Sequence, residues 1–424
     1  MKVLLSDGSG LTARQCATLL ARAGHEVGVL APGPLVLARA TTAVRRWHRV
    51  PVFGLDPLAW ADAALSVLDT GRYDVLLPTQ EQVTVLSLIV DEITRRGVAT
   101  AVPPFAALRR VQDKLSAEEL LTEVGLPRPG AIVARTPDEL LTAVPPVYVK
   151  APIGTASTGV RHVTSEAQLR DAGRAMQALD AYELGGVLVQ QPVPGPLLMV
   201  QAVFESGRLL AAHANTRDVA GAGGGASHKT SVAVDPVRPA LELIGAELGW
   251  HGALSCDVID GPDGPVIIDV NPRLVEPGNA AAAGLDLVAV LLDVATGRAP
   301  RPGPQARPGV RTYQLLLALA GAAQGARPRR ALLRQLGAAA ARTGDYRAGH
   351  EELSPLARDP LAMAALAALS AALLVAPVLH ARLASSSVAN YAITPSAWSR
   401  LTQAWDAPEP NRGRPHGHGR RAGR

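Results

Sequence analysis

The chain is 424 residues long, which excludes a single small domain and leaves room for two or three cores. Its 42 basic and 37 acidic side chains leave a formal net charge of +5. Much of that charge lies in the final stretch NRGRPHGHGRRAGR, where no aromatic residue interleaves with the arginines, so residues 406–424 are expected to be a disordered basic tail and no nucleic-acid partner is expected.

The N-terminus MKVLLSDGSG lacks the long apolar core of a signal peptide and reads as a first strand, residues 2–6. DGSG then makes a turn, Leu11–Ala23 a helix and Glu26–Leu30 a second strand, which together form a βαβ opening. GSGLTA is similar to a dinucleotide fingerprint, but the second strand runs into VGVLAPGP with no acid for a ribose, so NAD is not expected. Another strand, Tyr73–Leu77, ends in Pro78-Thr79-Gln80-Glu81, and polar residues just past a parallel strand commonly line a ligand crevice. Residues 1–105 are therefore expected to be a doubly wound, Rossmann-like α/β domain.

A helix is predicted around Phe105–Glu123, and then the period changes. Between Ala131 and Asp269 the runs AIVA, VYVK, GVRHV, GVLVQQ, LMVQAVF, RLLAAHA, ALSCDVID and VIIDVN read as strands, interrupted by helices at about 166–180 and 237–249. ESGR and DGPDG are hairpin signals. Residues 106–300 are thus an α+β domain. Residues 301–405 turn Pro/Arg-rich and then Ala-rich and helical. Within them, 360–379 (PLAMAALAALSAALLVAPVL) carries no charge and is long enough to cross a bilayer, although Ala is weakly apolar and Pro377 interrupts it. A buried or dimer-forming helix, membrane association and a true span are all open at this point. The two cysteines, Cys16 and Cys256, are far apart without metal-ligand spacing, which fits a cytoplasmic protein.

Only four of the 42 basic residues are lysine: Lys2, Lys114, Lys150 and Lys229. Lys150 closes an apolar strand just before APIGTASTG, where Gly154 and Gly159 allow close backbone approach and Thr155, Ser157 and Thr158 add small donors. A lysine ammonium is a compact, movable charge suited to a phosphate chain. The segment is not a Walker loop, since the lysine precedes the glycines. Lys114 stands at a helix entrance in VQDKLSAEEL. In SCDVIDGPDGPVIIDVNPRL, Asp257 and Asp269 lie on two strands joined by a turn that can bring their carboxylates side by side. Asn271 shares a strand face with Asp269, and two carboxylates with an amide oxygen are hard ligands suited to Mg2+ bridging nucleotide phosphates. Arg273 can meet a phosphate or carboxylate with its planar fork. Lys229 lies in RDVAGAGGGASHKTS, a glycine-rich run expected to be a mobile loop, either one from which Arg217, His228 and Lys229 could reach an anionic substrate or a γ-phosphate or a plain flexible surface loop.

In this order, the lysine before a helix, the Lys–Gly/Ser loop, VQQPVPG and the Asp-x-Asn-Pro-Arg end resemble the ATP-grasp superfamily, with predicted carbamoyl-phosphate-synthase-like members the most similar. The resemblance covers about residues 1–300 and implies an N-terminal pre-ATP-grasp domain followed by a two-lobed grasp. It implies that Lys114 and Lys150 hold the nucleotide phosphates, that 154–159 (with Gly154, Ser157 and Gly159) is the phosphate loop, and that Gln190, Gln191 and Val193 form the adenine hinge. It likewise implies Mg2+ or Mn2+ at Asp257, Asp269 and Asn271, and contact of Arg273 with an acyl phosphate or substrate. Two positions depart from the pattern: Gln191 stands where Glu is common, and Asp269 where the longer Glu is usual. The implied activity is an ATP-dependent ligase joining a small carboxylate to an amine through an acyl phosphate. A bicarbonate-activating carboxylase or carbamoyl-phosphate type enzyme and a non-catalytic, membrane-associated nucleotide binder are the alternatives.

Overall fold

The computed structural model describes residues 1–155, 158–299, 305–353 and 359–407. The first sheet is parallel in the order β3-β2-β1-β4, with β1 at Lys2–Leu5, β2 at Glu26–Ala31, β3 at Val44–Arg49 and β4 at Val75–Leu77. Val3, Leu4, Leu5, Val27, Val29 and Leu30 are all fully buried, as strands covered on both faces must be. The edge strand β3, VRRWHR, is half exposed, and its polar sequence hid it from a reading based on apolar runs.

The single helix expected over Phe105–Glu123 is two helices, Phe105–Gln112 and Lys114–Glu123. Asp113 between them is extended (φ −87°, ψ 123°), and its side chain accepts the Leu115 N–H at 2.8 Å. An Asp side chain that takes a first-turn N–H competes with helix continuation and becomes an N-cap. Lys114 is thereby the first residue of a new helix and not a mid-helix surface cation.

The small lobe is an antiparallel sheet in the order β5-β8-β6-β7: β5 Ala131–Ala134, β6 Val147–Lys150, β7 Val160–Val163 and β8 Val187–Gln190. Val147, Val149, Val187 and Val189 pack on the helix Glu166–Gln177, so the alternate residues Lys150, Leu188 and Gln190 face the other way. The large lobe is a seven-stranded sheet ordered β13-β12-β9-β10-β11-β14-β15. Its strands are β9 Leu197–Glu205, β10 Arg208–Ala220, β11 Ala226–Val232, β12 Gly252–Gly261, β13 Gly264–Asn271, β14 Arg311–Tyr313 and β15 His350–Glu351. ESGR and DGPDG are hairpin turns, as predicted.

β14 and β15 come from the region that composition marks as helical, so the C-terminal part of the chain completes the large sheet. The uncharged run 360–379 is not one long helix: it forms Pro360–Val375, breaks at Ala376 and Pro377, and resumes as Leu379–Tyr391. Pro cannot donate to a helix ladder, and the break follows. Among the described residues, no helix is long and apolar enough to cross a membrane. The expected basic tail falls, from residue 408 onward, outside the described residues. The last helix, Pro395–Asp406, inserts Trp398 and Leu401 into the N-terminal domain's core, with Trp398 and Trp405 at 6.1 and 5.1 Å from the Phe105 ring. Both cysteines are buried and free, and burial pushes their thiols up in pKa.

Truncating a buried tryptophan leaves a large cavity, so Trp398→Ala is expected to lower stability by about 3–5 kcal/mol, read as a lower urea midpoint.

Candidate active site

A register slip sets the two carboxylates. Pairing of β12 with β13 starts at Gly261 opposite Gly264 and runs to Val258 opposite Ile267, which would place Ile268 opposite Asp257. Instead Ile268 is bulged, and Asp257 pairs with Asp269, Cys256 with Val270 and Ser255 with Asn271. A slip of one residue moves every later side chain to the other face. The bulge therefore turns Asp269 and Asn271 onto the face that carries Asp257.

The bulge also frees the Ile268 carbonyl, which accepts a hydrogen bond from Lys150 Nζ at 2.7 Å. Lys114 Nζ stands 3.3 Å from Asp269 Oδ1. Two lysines and two aspartates from the Lys114 helix, β6, β12 and β13 thus form one charge cluster, in which Lys150 is buried and the other three are half-buried. Burial raises the Asp257 carboxyl, Asp269 adds to the rise, and the lysines offset it only partly, so its pKa is about 6. Burial acts on Asp269 in the same direction, but Lys114 and Lys150 outweigh it and hold that carboxyl below its ordinary value. Burial also pushes the Lys150 ammonium down, against the pull of Asp269.

Lys114, Lys150 and Asp269 share a narrow cleft with Glu118 and Gln190, walled by Ala117, Leu121, Leu188 and Val270. Gln190 Nε2 donates to Glu118 Oε2 at 3.1 Å. The other two hinge residues are elsewhere: Gln191 is exposed, and Val193 lines a separate depression with Pro127, Pro194 and Val266. In the glycine loop, Ala151 N–H donates to Gly159 O at 2.8 Å, and a Cβ on Gly159 would lie 2.9 Å from the Ala151 Cβ. A Cβ on Gly154 would meet the Gly159 backbone at 3.4 Å, so the loop folds back on itself. Ser157 lies outside the described residues.

Arg273 is nearly buried and directs Nε and Nη2 at Glu81 Oε1, at 3.2 and 2.9 Å. Glu81 belongs to the polar stretch after β4 that marked a crevice in the sequence. Lys229 is a correction. It lies on β11 and not on a mobile loop, opposite Arg217 of β10 and Thr312 of β14, and is only 2% exposed. Its Nζ sits 2.5 Å from Glu276 Oε2 and 3.0 Å from Glu352 Oε2. The glycines occupy only the turn at 221–225, because sheet neighbours on both sides satisfy the backbone of β11. One of those neighbours comes from a region the sequence reading held to be helical.

Three site residues escaped the sequence reading. Glu118 had a signal, since it lies one helical turn (i, i+4) beyond Lys114. Glu276, held at φ +56°, and Glu352, just past β15, had none. Among the described residues no group of three or more His, Cys, Asp or Glu is placed to hold a metal, so any cation at Asp257 and Asp269 would take its third protein oxygen from Asn271.

A doubly wound domain followed by two facing lobes, with Lys150 of the small lobe set against the acids of the large one, defines a class of α/β protein. Residues 111–277 match the family described as the ATP-grasp domain, and this part of the chain is an ATP-grasp domain. Solved structures share the fold. Carboxyaminoimidazole ribonucleotide synthase from Aspergillus clavatus, complexed with ATP, is 17% identical with a TM-score of 0.60, over 80% of this chain and 86% of that one. L-amino acid ligase from Bacillus licheniformis is 17% identical with a TM-score of 0.55, over 74% and 80%. The biotin carboxylase domain of Hydrogenobacter thermophilus 2-oxoglutarate carboxylase, in complex with MgADP and bicarbonate, is 17% identical with a TM-score of 0.58, over 73% of each chain.

Asp257 gives a pH test. Below pH 3.8 it is protonated in both folded and unfolded chains; between 3.8 and about 6 only the folded chain keeps the proton; above 6 the folded state carries the full cost of the charge. In chelator, Asp257→Asn is expected to be more stable than the parent by roughly 3 kcal/mol at pH 7, with the gap closing near pH 4 in urea titrations. Lys229→Met would strand two glutamates, and a loss of about 3–5 kcal/mol in the same assay is expected.

Proposed function

We propose that the protein is a Mg-ATP-dependent ligase that activates a small carboxylate as an acyl phosphate and passes it to an amine. The observation that carries this reading is the cluster of Lys114 and Lys150 against Asp269, with Asp257 alongside. Two lysines at the mouth of one cleft match a polyphosphate chain better than they match a single carboxylate. Each is compact and can exchange its present oxygen partner for a phosphate oxygen.

The donor set fits Mg2+ or Mn2+. Asp257 and Asp269 are close enough that the second raises the proton affinity of the first, and a divalent cation between them removes that repulsion. Asn271, two residues along the same face, adds an amide oxygen. When bound, the cation neutralises charge on the phosphate oxygens. Asp269 would help hold the metal, and Lys114 and Lys150 would bind the phosphate oxygens. Gln190, buried and held by Glu118, offers its amide to an adenine edge. Gly154 and Gly159, at the two ends of the glycine loop, leave room for the backbone to approach the phosphates.

Arg273 lies beyond the metal set on the same segment, at the N-terminal domain, and fits the acceptor carboxylate or the acyl phosphate. A substrate carboxylate oxygen attacks the γ-phosphorus and the bond to the β-phosphate oxygen breaks, releasing ADP. The amine nitrogen then attacks the acyl carbon and inorganic phosphate departs. Little covalent work is asked of the side chains; positioning and charge carry the reaction.

ADP release measured over a panel of carboxylates, bicarbonate included, and amines tests the reading. Turnover is expected with one pair, abolished by chelator, and reduced on the order of 10²-fold or more in Lys150→Ala. ATP binding without turnover on any member would favour a non-catalytic binder. Absence of ATP binding would overturn the assignment of the cleft.

A further inference from the structure

A segment of the C-terminal region lies against the start of the glycine loop in a way that the ligase reading does not use. In the last turn of the helix Leu379–Tyr391, Ser387 Oγ donates to Ser9 O at 2.8 Å and Asn390 Nδ2 donates to Ser9 Oγ at 3.0 Å. Ser9 belongs to the DGSG turn of the N-terminal domain and is buried. The backbone then extends through Ala392 (φ −61°, ψ 141°), and the Ile393 N–H donates to Thr155 Oγ1 at 3.2 Å. Thr155 and Ile393 are each 3% exposed, and Ile393 shares a core with Ile153. Next, Thr394 Oγ1 donates to Gly54 O at 2.8 Å and caps the helix Pro395–Asp406. A Cβ on Gly54 would stand 2.6 Å from Ala392 O, so the segment runs too close there for any side chain.

A chain end that merely packs needs apolar side chains. This one has those, and also aims polar groups at two turns. One is the first βα turn; the other is the start of the loop after Lys150. The Tyr391 phenol lies near enough to Arg273, Asp7, Glu81 and Glu276 to be affected by all four charges, so the segment reaches the substrate end as well.

We propose that residues 387–394 are a strap that positions the phosphate loop, with the Ile393 N–H as the positioning group for Thr155. This rests on the reading of 154–159 as that loop. The strap is anchored before Ile393 by Ser387 and Asn390 and after it by the tryptophan-docked last helix. A loop already held at one end loses less freedom when phosphates bind, so the nucleotide binds more tightly. The strap acts through Thr155 and touches no reacting atom.

The test uses the full chain and two readouts: amide hydrogen exchange of the segment 150–160, and the split of KM for ATP against kcat. Thr155→Val removes the acceptor at nearly constant shape, and Thr155→Ser keeps it. The valine variant is expected to exchange faster in this segment and to raise KM for ATP about fivefold while kcat changes less than about twofold; the serine variant, which keeps the acceptor for the Ile393 N–H, should keep the parent's exchange in this segment. Asn390→Ala should shift both readouts in the same direction, and adding it to Thr155→Val should cost nothing further. Unchanged exchange in Thr155→Val, a serine variant as defective as the valine, or additive effects would each overturn the strap. Faster exchange in Thr155→Val with a parent protein that binds no ATP would support the strap and sink the phosphate-loop reading instead.

Discussion

The site depends on one extra residue in a hairpin. A tight turn at Pro262 and Asp263 sets a register that leaves Asp269 on the face opposite Asp257, and the bulge at Ile268 reverses this. The same bulge exposes a carbonyl that anchors Lys150, while Asp269, now on the inner face, meets Lys114. Burial raises the Asp257 carboxyl to about 6 and the neighbouring Asp269 adds to the rise, whereas Lys114 and Lys150 hold Asp269 below its ordinary value. The asymmetry follows from Asp269 taking the direct contact with Lys114. A cation and a polyphosphate would replace like with like: metal for the missing positive charge, phosphate oxygens for the carboxylate and carbonyl that the lysines now touch.

Around that cluster the chain is knit together more than its composition suggests. β14 and β15 extend the large sheet and give β11 its second neighbour, which fixes Lys229 between Glu276 and Glu352. Gln314 Nε2 donates to both of these carboxylates, and Gln15 of the N-terminal domain donates to Glu352 at 2.9 Å. Arg14 and Asp359 make a further buried ion pair between the first helix and the C-terminal region. Breaking either group would leave uncompensated buried charge, so the N-terminal and C-terminal parts are held in one arrangement. Lys229, which residue type alone made a candidate for chemistry, is a member of that framework.

The legible parts were those governed by local rules. Alternating or continuous apolar runs marked the strands β5 to β10, β12 and β13, and the scarcity of lysine drew attention to Lys114, Lys150 and Lys229 alike. Two of those three lie in the cleft. Glycine richness misled at Lys229, because conformational freedom in an isolated segment says nothing about partners that arrive from eighty residues away. The polar edge strand β3, the two-residue β15 and the break at Asp113 were illegible or misread for a similar reason: each is decided by a neighbour or by a side chain competing for one N–H.

The sequence by itself determined the residue types of the site, their order, and the hairpin that brings Asp257 and Asp269 near each other, since turn chemistry and strand period are local properties. Which face those acids share, which lysine meets which acid, and the burial of Arg273 against Glu81 were decided by tertiary structure. So was the crossing of residues 387–394 over the start of the glycine loop. The physical reason is common to all of them. A one-residue register slip or an ion pair between distant segments changes the energy by as much as a local propensity does, yet leaves no periodic mark in the chain.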